Sequence, residues 1–85
     1  FELAAKEMKQ YTGEFGPRKI TLDNGLLYYQ REDKPKMKMI PMKKDLFMFE
    51  ELDYFRLMFI RENEKIIAVQ GLYDNGHTDR HERIN

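Results

Sequence analysis

Phe1, Ala4, Ala5, Met8 and Tyr11 recur at helical intervals, with Glu2 and Lys6 placed to pair at i, i+4. The pattern predicts one short amphipathic helix over residues 1–10. A helix of that length is marginal alone in water, so it is expected either to pack on the strands after it or to continue a helix from upstream. From Tyr11 the period changes to two. Tyr11, Gly13 and Phe15 alternate with Thr12 and Glu14 until Gly16-Pro17 ends the run, which reads as a first strand.

The strongest local signal lies in residues 18–31, where Asn24-Gly25 separates two alternating runs. A two-residue type I′ turn needs positive φ at both positions, which Asn and Gly tolerate. That turn places Leu22 opposite Leu27 and Ile20 opposite Tyr29 on one face, with Thr21 and Tyr28 on the other. Residues 37–42 form a short strand whose Pro41 cannot donate to a ladder, so an edge or a bulge is expected there. Residues 46–50 carry Phe47 and Phe49 on one face and Leu46 and Met48 on the other. Phe55, Leu57 and Phe59 alternate with Arg56, Met58 and Ile60. After a turn at Glu62-Asn63-Glu64, residues 65–73 are rich in β-branched side chains.

The expectation is a mainly β fold, an antiparallel meander of about seven strands forming a small closed or half-open, lipocalin-like barrel behind the helix. Residues 11–76 make the β domain. Residues 77–85 are charged and nearly without apolar side chains, and are expected to be a disordered tail.

Composition sharpens this picture by subtraction. With no cysteine there is no disulfide and no thiolate, so six Phe, five Tyr and six Met must supply the packing. Fifteen basic side chains balance 15 acidic ones, which removes any global attraction to nucleic acid or an anionic membrane. The charge is uneven all the same. Residues 31–45 are mostly basic and residues 50–64 mostly acidic, so mutual neutralisation across neighbouring strands is expected, each exposed pair contributing at most about 1 kcal/mol. No apolar run approaches the roughly 18 residues that a membrane span requires. The chain starts at Phe1 inside a helical pattern and is expected to be a piece of a longer protein, monomeric by itself.

Candidate chemistry is sparse. The sequence has no serine, and of its threonines Thr12, Thr21 and Thr78 only the last lies near a histidine, so no nucleophilic centre and no catalytic residue are assigned. Glu50 with Glu51, and Glu62 with Glu64, sit in turns where solvated carboxylates are ordinary. His77, Asp79 and His81 alternate and could converge on a metal with Glu82 beside them, but a polar tail offers no rigid shell, so no metal and no cofactor are assigned. Residues 34–44, with Tyr28 and Tyr29 upstream, could be a basic strand beside stacking rings; snorkelling lysines on a solvated face are the commoner meaning. The stripe of Phe47, Phe49, Phe55, Phe59, Met39, Met42 and Met58 could line a ligand cavity, though a barrel of this size is filled by its own side chains. Apolar residues on both faces of residues 55–60 point elsewhere, to a covered second face, and Tyr28, Met58 and Ile60 are the candidate interaction surface.

Several of these runs carry a resemblance. Tyr11-Thr12-Gly13-Glu14-Phe15-Gly16, then Ile20, Leu22, Gly25, Leu27, Tyr29 and Arg31, then Ile40-Pro41-Met42 with Asp45 and Phe47, then Phe55-Arg56-Leu57 with Phe59, resemble the small β domain that follows the catalytic part of Bacteroidetes-type secreted serine hydrolases. Tail-specific (C-terminal processing) peptidases and β-lactamase-like esterases are the nearest in kind. The similarity covers residues 11–76. It implies a noncatalytic accessory domain, a periplasmic or secreted parent, and a partner in the upstream catalytic domain of the same chain, where the nucleophile lies. The module itself is expected to pack on that catalytic part, through the helix and an exposed strand face, or to help present substrate. A lipocalin-like barrel binding its own small ligand is the alternative.

Overall fold

The computed structural model describes residues 2–85. A short helix, α1 (Ala5–Lys9), precedes nine strands: β1 (Gly13–Phe15), β2 (Arg18–Asp23), β3 (Leu26–Arg31), β4 (Met37–Lys38), β5 (Ile40–Lys43), β6 (Leu46–Met48), β7 (Phe55–Glu62), β8 (Lys65–Tyr73) and β9 (Thr78–Glu82). They pair in chain order into two antiparallel sheets, β1-β2-β3-β4 and β5-β6-β7-β8-β9. Among the described residues no helix is long and apolar enough to cross a membrane.

The helix is shorter than its periodicity suggests. Ala4 is extended, with φ −70° and ψ 155°, and its amide donates to the Glu7 carboxylate at 3.1 Å, so the helix has its own start at Ala5. Residues 2–4 are not helical, and the expected helical position of Phe1 lies outside the described residues. Leu3 and Met8 pack against the core, so the helix covers this domain's own interior.

The β2–β3 hairpin has the register that its turn dictates, with Leu22 opposite Leu27, Ile20 opposite Tyr29 and Thr21 opposite Tyr28. Asn24 and Gly25 carry φ of 51° and 77°. A bulge separates Pro41 from Lys43, where proline withholds a ladder bond. The single strand expected over residues 37–42 is instead two. Met39 is buried between them, its amide donating to the Leu27 carbonyl at 2.9 Å, while Ile40 already pairs with Met48 in the other sheet. The chain thus changes sheets at one residue.

The larger correction is at the C-terminus. Residues 78–82, expected to fray, pair with β8 along its second half, Leu72 opposite Thr78 through Ala68 opposite Glu82. Beyond them a bridge joins Phe15 to Arg83, and Glu14 exchanges backbone bonds with Ile84 and Asn85. This bridge and the Met39 corner connect the sheets. The strands form two sheets, and no closed barrel is found among the described residues.

Between the sheets lies one aromatic core. Tyr11 packs edge-on against Phe47 and Phe59, with centroids at 5.1 and 4.7 Å, and Phe49 stacks on Phe55 at 5.5 Å. Edge-to-face and offset ring pairs contribute beyond their area burial. Of the expected stripe, Phe47, Phe49, Phe55, Phe59 and Met39 are buried here, Met58 is half-buried and Met42 is exposed.

Backbone strain is held in the β7–β8 turn. The β7–β8 turn places both Asn63 and Glu64 at positive φ, 54° and 70°, and glutamate has no local side-chain bond to favour that region. Glu64→Gly is expected to raise stability by about 0.5–1 kcal/mol, read as a higher urea midpoint at unchanged slope.

Candidate functional site

Among the described residues the one buried charged side chain is that of Arg18, the first residue of β2, and it is fully enclosed. Side chains from four other strands meet its guanidinium. Nε donates to the Tyr29 hydroxyl at 3.0 Å, Nη1 to His81 Nδ1 at 3.0 Å and Nη2 to Asp79 Oδ1 at 2.7 Å, while the Tyr73 hydroxyl lies 3.4 Å from both Nη2 and Asp79 Oδ2. The Phe55 ring covers the group, 5.7 Å from Cζ to centroid. Arginine has no acceptor, so His81 Nδ1 must be the unprotonated nitrogen of its ring.

Two glycines make room. A Cβ on Gly71 would stand 2.5 Å from Asp79 Oδ1 and 2.7 Å from Arg18 Nη2, and one on Gly16 would stand 2.6 Å from the His81 ring. Both are closer than real side chains come. The alternation of His77, Asp79 and His81, expected to lie in a polar tail, instead brings two of the three to Arg18. Asp79 and His81 turn inward onto a cation, while the His77 ring lies 5.2 Å from Tyr73. Among the described residues no group of three or more potential ligands converges on a metal position.

The electrostatics follow from these contacts. Burial works against the charge of Arg18, but bonds to Asp79 and Tyr29 outweigh it and raise its pKa. Burial would push the Asp79 carboxyl up; the Arg18 bond and charge bring it below the usual carboxylate range. His81 is pushed down, first by burial and then by the charge of Arg18.

A second ion pair sits elsewhere. Arg61 reaches Asp45 with Nε at 2.8 Å from Oδ2, and the Tyr11 hydroxyl donates to Asp45 Oδ1 at 2.8 Å. Asp45 has φ of 67°, a region that aspartate tolerates better than most residues. This pair does join the basic and acidic stretches, but with the roles reversed: the acid comes from the basic stretch and the base from the acidic one. The other described ion pairs, Arg18–Asp79 and Arg80–Glu82, lie outside that scheme.

An open groove of about 550 Å³ borders the Arg18 cluster. Tyr29, Phe55 and Tyr73, the rings around the guanidinium, form one side of it. Its walls are the end of β3 with the loop after it, bringing Arg31, Lys34 and Lys36, and the loop before β7, bringing Glu51, Leu52 and Tyr54. A second groove of about 600 Å³ lies beside the helix, bordered by Leu3, Met8 and Leu26.

The three candidate surface residues do not come together on one sheet. Tyr28 belongs to β3, opposite Thr21 and Lys38, whereas Met58 and Ile60 belong to β7, and all three are half-buried. Tyr29 faces the core, so Tyr28 and Tyr29 do not form a stacking pair on one face. Glu50, Glu51, Glu62 and Glu64 are exposed. The sequence pattern misses Arg18 because nothing local distinguishes a buried arginine. The alternation of Asp79 and His81 is the signal that could have found it.

Removing one member of a buried charge pair leaves the other uncompensated. Arg18→Met or Asp79→Ala alone should each lower stability by about 3 kcal/mol, and the double variant by clearly less than the sum, measured as a urea-unfolding double-mutant cycle. Protonation supplies a second test. Because His81 is depressed in the folded state, the unfolded chain takes up the proton first as pH falls. Its contribution is therefore complete above about pH 6.5 and lost progressively below. Asp79 acts in the same sense at lower pH. The urea midpoint should be level just above neutrality and fall below about pH 6.5, and His81→Gln should abolish the upper part of that fall while leaving the acid part.

Compared with known proteins, the chain matches no protein-family model, no curated protein and no solved structure, so the site stands on its geometry alone.

Proposed function

We propose that this chain is a noncatalytic accessory β domain of a larger bacterial serine peptidase or hydrolase, periplasmic or secreted with its parent, which packs on the catalytic part through the outer face of the second sheet. One observation carries the reading. On β7, Phe55, Leu57 and Phe59 are buried inward, while the alternate positions include Met58 and Ile60 rather than the polar residues a solvated face would carry. Leu46 stands directly opposite Met58 and extends the same outer face. The resemblance of residues 11–76 to such accessory domains supports the identity of the partner. Arg18, Asp79 and His81 are engaged with one another, which supports a structural role for the cluster.

The sheets are read as a half-open barrel, a reading supported by the Phe15–Arg83 bridge on one side and the corner at Met39 on the other. The second reading, a small-ligand barrel, draws its support from the open groove and not from the interior, where the rings of Tyr11, Phe47 and Phe59 fill the space.

Met58→Lys with Ile60→Lys, placed in the full parent chain, should lower the parent's melting temperature by several degrees. The same pair of changes in the isolated domain should shift melting little, since both positions lie outside the core. A parent that melts and turns over unchanged would sink the proposal.

A further inference from the structure

The groove beside Arg18 holds an electrostatic imbalance that no residue of the site corrects. Arg31 stands directly opposite Arg18 in the β2–β3 ladder. Like charges directly opposed across strands are destabilising. Asp79 is bonded to Arg18, and among the described residues the Arg31 side chain makes no hydrogen bond or ion pair. Lys34 and Lys36 border the same groove, also without ion-pair partners among the described residues, and Glu51 is the single acid on the opposite wall.

The apolar side of the groove is equally unfinished. Tyr54 is 46% exposed at its rim. The other bordering rings, Tyr29, Phe55 and Tyr73, each pack against another aromatic ring, whereas Tyr54 has no such neighbour among the described residues. A volume of about 550 Å³ lies within the ordinary range for small-molecule sites.

We propose that this groove binds a small aromatic monocarboxylate, its carboxylate received by Arg31 with Lys34 and Lys36, and its ring laid against Tyr54 and Tyr73. The planar guanidinium of Arg31 matches a carboxylate in two parallel bonds, and the added negative charge relieves its opposition to Arg18. The site is independent of the outer face of the second sheet.

The probe is 2-naphthoate, titrated into the isolated domain and followed by amide chemical shifts and melting temperature, with the neutral 2-naphthamide as its control. Saturable shifts at Met37, Leu52, Tyr54 and Tyr73, a raised melting temperature, and binding about ten-fold or more tighter for the carboxylate than for the amide are expected. Affinity should fall with added salt. Arg31→Gln should weaken naphthoate about ten-fold while leaving melting unchanged or higher, because it removes a like-charge opposition. Tyr54→Ala gives a second variant at an exposed position and should weaken both probes. No saturable binding, equal binding of the two probes, shifts centred on the groove beside Leu3 and Met8, or an unaffected Arg31→Gln would each overturn the assignment. Loss of this site would leave the docking reading untouched, because that reading is tested by melting of the parent.

Discussion

A guanidinium with no access to water must find its partners inside the protein, and much of this fold is arranged around that requirement at Arg18. Taking a charge out of solvent costs several kcal/mol unless geometry and hydrogen bonding compensate. The compensation comes from far along the chain: Tyr29 on β3, Tyr73 on β8, and Asp79 and His81 on β9. The strand β9 has almost no apolar surface of its own to bury. Its backbone ladder to β8 and its two inward polar side chains fix it in place, and the missing Cβ atoms of Gly16 and Gly71 leave the space these side chains occupy.

Docking β9 has a further consequence for the architecture. The chain beyond it reaches β1, where Arg83 bridges Phe15, lies over its ring at 5.2 Å and donates to the carbonyls of Thr12 and Ile66. One end of the first sheet is thereby tied to the last strand of the second. At another place the Asp45–Arg61 pair ties the β5–β6 turn to β7 and to the Tyr11 hydroxyl, holding the ring that closes over Phe47 and Phe59. The two centres differ in their balance. Asp45 and Asp79 are each paired with one guanidinium, but Arg18 has a second arginine, Arg31, opposite it in the ladder, and that surplus positive charge gives the neighbouring groove its chemical character.

Local patterns were legible wherever a residue's own backbone preference decided the outcome. Asn24-Gly25 determined a turn type and with it the register of six pairs; Pro41 marked the bulge; the β-branched run over Lys65–Tyr73 marked its strand to the residue. The alternation of Phe55, Leu57 and Phe59 identified the core face, because period two and burial coincide there. The pattern overextended the helix, since apolar spacing before Ala5 is equally compatible with an extended segment whose Leu3 reaches the core. It read one strand through Met39, because a change of sheet leaves every residue extended and alternation does not register it.

By itself, then, the sequence determined a cysteine-free and serine-free antiparallel domain with an aromatic core and one hairpin of known register, all properties carried by single residues or by near neighbours. Tertiary structure alone decided that a charged C-terminus is a strand, that Asp79 and His81 face an arginine 61 and 63 positions earlier in the chain, and that Asp79 is bonded to Arg18 and not to Arg31 opposite it. The physical reason is the same in each case. A polar side chain's fate depends on which opposite charge or vacant space the fold places beside it, and that neighbour lies too far along the chain for any local pattern to name.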